Sequence, residues 1–403
     1  MATLSERILG APAGSCVDRR VDRAYVHDGT GVLTLETFRS IGRPLAAPER
    51  CPVLFDHIVP ANTSTTADLQ AELRRFACRH GMPFSDVGGG ICHQLMGEGC
   101  VRPGELVIGA DSHTCTLGAF GAFATGVGAT DMAAIWATGE TWLRVPETIR
   151  IDLTGRLAGA AEAKDLALAY VGRMGMDGAT YSALEFVGEG ASTLSMAGRM
   201  TCSNLAIEAG AKTGLFYADE TTRCYLGDFG IETNVQTPDE ATYRSTLSLD
   251  LGAIEPLVAV PDRVDTVRPV SDLAEIAVDQ VFVGTCTNGR LEDIGRLTSF
   301  LKGGRVRVRT IVVPASRKTL IEATRSGMIE TLIEAGCTIG PPGCGPCLGA
   351  HLGVIGEGEV CLSTANRNFR NRMGVGGDIY LGSVATAAAT ALAGHITSPE
   401  ATS

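Results

Sequence analysis

The chain has no excess of basic charge: 34 Lys and Arg stand against 45 Asp and Glu, a formal net charge of −11. Phosphate backbones and anionic lipid bind through cationic surfaces, so neither a nucleic acid nor a membrane partner is expected. An export signal is also lacking, because Glu6 and Arg7 break the start before an apolar run of roughly 7–15 residues can form. Long apolar runs are missing too. Charge-free stretches such as Thr114–Thr130 and Ile379–Pro399 are built largely from Gly, Ala, Thr and Ser, too weakly apolar to span a bilayer. We read the chain as cytoplasmic. No unit of about 20–50 residues repeats and no single-residue tract appears, which excludes solenoids and low-complexity segments.

What is present fits a folded enzyme: 403 residues, 45% hydrophobic and 20% charged, enough for two to three domains at roughly 150 residues each. Thirteen cysteines do not form a disulfide framework in a reducing compartment, in a chain long enough to bury its own core. Some are expected to bind metal. Segments 105–109 and 280–284 read as short buried strands ending in glycine, and 305–313 alternates before turning apolar. Helical patterns cover Asp68–His80, Ser316–Gly327 with Ser316 as N-cap, and the Ala-rich Ser383–Ala393. Strands alternating with helices predict α/β layers. Proline-bearing stretches at 144–147 and 260–271, the second read as the better linker, divide the chain into regions 1–145, 146–268 and 269–403. Asn204 and Glu208, four apart, are expected on one helix face.

The chemistry concentrates in two cysteine groups, Gly343-Cys344-Gly-Pro-Cys347 and Gly284-Thr-Cys286-Thr-Asn-Gly-Arg290. A C-x-x-C spacing alone fits a redox pair as well as a metal site, but glycine and proline free this backbone to wrap an inorganic cluster. Three thiols leave one metal position open, where a closed structural zinc site has four ligands. An iron without a thiolate acts as a Lewis acid on a hydroxyl and a carboxylate. Acid–base partners are then required, and four histidines stand in polar contexts: His27-Asp28-Gly, Asp56-His57, Cys92-His93-Gln94 and Asp111-Ser112-His113. A neighbouring carboxylate fixes a histidine's tautomer and raises its pKa. Arg367, Arg370 and Arg372 gather planar cations in an otherwise acidic chain, and guanidinium forks suit a dicarboxylate.

Taken in order, these motifs resemble the aconitase superfamily, most closely its branch of isopropylmalate dehydratase and homoaconitase large subunits. The resemblance runs through His27-Asp28-Gly-Thr, Phe55-Asp-His-Ile-Val-Pro-Ala-Asn62, Gly109-Ala-Asp-Ser-His-Thr114, Ala122-Phe-Ala-Thr-Gly-Val-Gly128, Trp142-Leu-Arg-Val-Pro-Glu-Thr148, both cysteine groups, and Asn366-Arg-Asn-Phe to Tyr380-Leu. It implies an α/β fold of three domains around a cleft, with the acid–base residues in the first and the cluster in the third. It further implies a 4Fe–4S cluster on Cys286, Cys344 and Cys347 with one labile iron. His57 with Asp56 would handle the proton of the leaving hydroxyl, Asp111 would pair with His93, and His113 with Glu208. Asn204, Asn288 and Asn366 would line the cluster, Arg367 and Arg372 would hold substrate carboxylates, and Ser112 would share the pocket. Arg370 has no counterpart.

In fused relatives the base for the carbon-bound proton lies on a C-terminal swivel domain, and this chain stops at Ser403. That implies a separate small subunit supplying the base, an arginine and the loop that reads the substrate side chain. The implied activity is a hydro-lyase acting on a 2-hydroxy di- or tricarboxylic acid, foremost 3-isopropylmalate in leucine biosynthesis, with homoaconitate, citramalate and 2,3-dimethylmalate chemistry as alternatives. An iron-sensing RNA-binding regulator is the alternative of another class, and the net charge of −11 argues against it. Residues after Gly14, Gly31-Val32 and Asn371 depart from the family pattern, the first two near the expected pocket. Cys115 and the nine remaining cysteines are read as small buried residues.

Overall fold

Parallel strands followed by helices build three sheets, so loops gather at the carboxyl ends of the strands. The computed structural model describes residues 2–238, 240–273 and 276–402. The first sheet holds β1 (Arg23–His27), β2 (Val53–Leu54), β3 (Phe84–Ser85), β4 (Leu106–Gly109) and β5 (Phe123–Gly126). All pair in parallel in the order β3-β2-β1-β4-β5. The order reverses at β1, and ligands of open α/β sheets bind beyond the carboxyl ends at such a switch.

The second sheet, β6 (Thr148–Thr154), β7 (Ala183–Val187), β8 (Thr213–Phe216) and β9 (Ser245–Asp250), is parallel in the order β8-β7-β6-β9. The third comprises β10 (Leu257–Ala259), β11 (Val267–Pro269), β12 (Gln280–Val283), β13 (Arg309–Val312), β14 (Thr338–Ile339), β15 (Val360–Ser363) and β16 (Asp378–Leu381). Its order is β11-β10-β16-β15-β12-β13-β14. Helices cover both faces, which is why β4, β7, β8 and β12 are buried along their whole length. One apolar cluster joins Phe186 and Phe216 of the second sheet to Phe282, Val313 and Cys347 of the third.

The helices follow the sequence pattern closely. The one expected from Asp68 begins earlier, at Ser64, where the Thr63 side chain accepts from Thr66 N. Ser316 caps Arg317–Arg325 and Ser383 caps Val384–Ala393. Four expectations are corrected. The stretch 260–271 is no linker: Leu257–Ala259 and Val267–Pro269 form an antiparallel hairpin on the edge of the third sheet, where a strand proline is tolerated, so residues 257–268 belong with the third region. The strand expected over 305–313 is confined to Arg309–Val312, because Val306 N and Arg307 N bond to Ala335 O and Ala391 O instead. Residues after Gly14 pair as Cys16–Arg20 with Glu140–Arg144 in a separate antiparallel ribbon, and none lines the central cavity. Cys16, Cys78 and Cys224 are exposed, since they fall on outward faces of that ribbon and two helices. Among the described residues no helix is long and apolar enough to cross a membrane.

Gly126 ends β5 so close to β4 that an added Cβ would lie 2.4 Å from the carbonyl oxygen of Asp111. Gly126→Ala must push the two strand ends apart, and overpacking of this kind costs roughly 1–3 kcal/mol. We expect a lower urea midpoint with an unchanged slope; a midpoint equal to the parent's would show that the contact relaxes freely.

Candidate active site

Asp111 lies two residues beyond β4, where its carboxylate caps the following turn by accepting from His113 N at 2.7 Å. Three imidazoles converge on the same group. His93 Nε2 is 3.1 Å from Oδ1, while His57 Nε2 and His27 Nε2 are 3.3 and 3.5 Å from Oδ2. Burial opposes its charge, yet His93 and His57 hold the carboxyl well below the usual range. In return Asp111 raises His93 to about 10 against its own burial. His57 also rises well above its ordinary value, because Asp56 and Asp111 outweigh burial; its Nδ1 lies 2.6 Å from Asp56 Oδ1. His27 stacks on His57 at 3.6 Å between ring centres, and burial together with that neighbouring charge lowers it to about 4. Its Nδ1 accepts from Gly29 N at 3.1 Å, which places the proton of the neutral ring on Nε2, toward Asp111.

The loop that carries Asp56 and His57 is held by Asp28, at the end of the first strand. The Asp28 carboxylate accepts from Asp56 N, His57 N, Ile58 N and Gln70 Nε2 at 2.8–3.1 Å. Donor atoms of His27, Asp28, Asp56 and His57 lie within 4.8 Å of one another. Their mutual hydrogen bonds make them a proton network rather than a metal cage, since Asp28 is already saturated with N–H donors.

A second pair faces the first. Glu208 Oε1 is 2.8 Å from His113 Nε2 and accepts from Arg367 Nε at 2.7 Å. The helix Met196–Leu205 carries Asn204 but ends before Glu208, which sits in the 3₁₀ turn Ala206–Ala209. The shared helix face is therefore corrected, and both side chains are buried rather than solvated. Burial and the charge of Arg367 outweigh Glu208 and lower His113, so its imidazole is neutral.

The three cysteines follow strands of the third sheet: Cys286 after β12, and Cys344 and Cys347 after β14. All are buried. Asn204 Nδ2 and Asn366 Nδ2 donate to Cys286 Sγ at 3.1 and 3.3 Å, and Cys347 Sγ is 3.6 Å from Asn366 Oδ1. Cys344 stands beside Cys347, and with Arg372 it holds the Cys347 thiol well below its ordinary value. The three cysteines, Asn366 and Arg372 line one cavity of about 360 Å³ together with His57, His93, Asp111, Ser112 and Arg367. Arg370 points elsewhere and is exposed. Asn288, expected beside the cysteines, instead donates to Asp293 at 2.8 Å and faces a separate cavity, because Asp293 caps the next helix and draws the amide with it. Sequence reasoning missed Asp28 as a clamp: its partners lie about 30 residues on, and only the neighbouring His27 drew notice.

The paired charges make alkaline stability a test. His93 carries its proton in the folded chain up to about 10, against an ordinary value of 6.5. Its contribution is complete below 6.5 and is lost as pH rises toward 10, since the unfolded chain binds fewer protons there. Asp111→Asn removes the cause. We expect the melting temperature of the parent to fall more steeply between pH 7 and 10 than that of Asp111→Asn; parallel curves would sink the assignment of Asp111 as the group that charges His93.

The family model for the aconitase family (aconitate hydratase) matches residues 5–394. The chain is 53% identical to the probable methanogen homoaconitase large subunit of Methanosarcina mazei, covering 94% of this chain and 98% of that one. It is 46% identical to the 3-isopropylmalate dehydratase large subunit of Elusimicrobium minutum and 45% identical to the methanogen homoaconitase large subunit of Methanocaldococcus jannaschii, each over 98% of this chain and 98–99% of the relative. Aconitase X of Thermococcus kodakaraensis shares the fold with a TM-score of 0.52 at 13% identity, over 90% of this chain and 86% of that one. The chain belongs to the aconitase family of hydro-lyases.

Proposed function

We propose that this chain is the large, cluster-bearing subunit of a cytoplasmic dehydratase that removes and restores water on a 2-hydroxy di- or tricarboxylate, with 3-isopropylmalate as the first substrate to test. The observation that carries the reading is the convergence of three buried thiols, two carboxylate–imidazole pairs and two guanidinium groups on one cavity. The thiols fit a 4Fe–4S cluster held by Cys286, Cys344 and Cys347: amide N–H groups from Asn204 and Asn366 donate to the sulfur of Cys286, which tunes and orients a thiolate ligand, and among the described residues no fourth cysteine lines the cavity. When bound, such a cluster supplies an iron without a thiolate, a Lewis acid for substrate oxygens.

The remaining chemistry falls to side chains. His57, kept charged by Asp56 and Asp111, holds the proton that a departing hydroxyl takes. His93, charged by the same Asp111, gives the cavity a second fixed positive group. Glu208 occupies Nε of Arg367, which leaves the terminal Nη groups for a substrate carboxylate, with Arg372 and Ser112 beside them. Neutral His113 orients that arginine through Glu208. A small subunit supplies the base for the carbon-bound proton, in line with the relatives' names as large subunits. Homoaconitate is the second reading, favoured by the 53% identity to the homoaconitase relative.

The test is anaerobic. The chain is reconstituted with iron and sulfide, mixed with its small subunit, and assayed at ultraviolet wavelengths for alkene acid formed from 3-isopropylmalate, homocitrate, citramalate and dimethylmalate. Turnover is expected only with the partner present and a drop of at least a hundredfold in Cys347→Ser. An intact cluster with no turnover on any of the four would overturn the dehydratase reading.

A further inference from the structure

Lys164, the second residue of the helix Ala163–Met174, has 0% exposure. Its ammonium donates to Thr364 O at 2.9 Å and Ala365 O at 2.5 Å, the two carbonyls just before Asn366 and Arg367. Among the described residues no carboxylate lies within 4.0 Å of it. The neighbouring Asp165 accepts from Glu162 N and Leu257 N rather than from the ammonium, and burial raises that carboxyl to about 8, which weakens the charge it offers Lys164. A buried ammonium surrounded by neutral carbonyls is strongly disfavoured unless an opposite charge stands near. Burial accordingly lowers Lys164 to about 8, and the foremost groups that oppose this are the Cys286 and Cys347 thiols.

We infer that Lys164 is the resident counter-charge of the three-cysteine centre: a positioning residue, out of reach of substrate, that offsets negative charge when the centre is loaded. The inference rests on the cluster reading above. A tether alone and a counter-charge make opposite predictions. Replacing a tether weakens the chain in every state, whereas replacing an unpaired buried charge leaves the cluster-free chain at least as stable and changes the electronics of the loaded one.

Lys164→Met removes charge and donor; Lys164→Gln removes the charge and keeps an amide donor for the carbonyls. Both are compared with the parent after anaerobic reconstitution, by the reduction potential of the cluster in a titration followed by electron paramagnetic resonance, and by the urea midpoint of the cluster-free chain. A counter-charge predicts a more negative potential in both variants, faster loss of iron in air, and a cluster-free midpoint of Lys164→Gln no lower than the parent's. A potential in Lys164→Gln equal to the parent's overturns the inference, as does a Lys164→Gln chain that fails to fold without cluster. If Lys164→Met folds but does not load, Lys164→Gln decides; folded variants neither of which loads, beside a parent that does, support it. A parent that assembles no cluster overturns the cluster reading itself, and this inference with it.

Discussion

The carboxylate of Asp111 is the group around which the catalytic half of this protein is arranged. It sits at a switch point of the first sheet, largely covered, with three imidazoles and one backbone N–H directed at it. Two of those partners, His93 and His57, carry the positive charge that holds it ionised. A lone buried carboxylate would take up a proton, and buried imidazoles without it would lose theirs. Each keeps the other charged, so the network stands or fails as one unit, and its single-residue contributions do not add.

Backbone geometry makes this convergence possible. His27, Asp56 and Asp111 leave the carboxyl ends of adjacent parallel strands, while Cys286, Cys344 and Asn366 leave the corresponding ends in the third sheet. The second sheet contributes less directly, through Asn204 and Glu208 on the helix and turn that precede β8. Close backbone approach is part of the same design. At Gly126 there is no room for a side chain beside Asp111, and at Gly343 a Cβ would meet Asp56 O and Val59 at 3.0 Å. The glycines therefore bring the acid–base loop and the cysteine loop within contact of each other.

Much of this was legible in the sequence where local patterns decide. Ser316 and Ser383 announced their helices, the glycine-terminated strands fell where expected, and the ordered motifs pointed to the family. Legibility failed where partners are distant. The hairpin 257–269 looked like a linker because its strands are three residues each and the second ends in proline. Glu208 looked helical because a 3₁₀ turn shares the local composition of an α-helix. Asp28 and Lys164 act through backbone atoms about 30 and 200 residues away, and Asn288 was drawn aside by a helix cap. No periodicity encodes such contacts.

The stacked pair His27 and His57 has a consequence for the accounting of protons. Two imidazoles 3.6 Å apart in a buried site do not both carry charge, and here His57 is the charged member while His27 stays neutral. The pair is thus a reservoir of a single proton. The stack holds no second one, and the nearest other charged imidazole is His93, across the Asp111 carboxylate that His57 also faces.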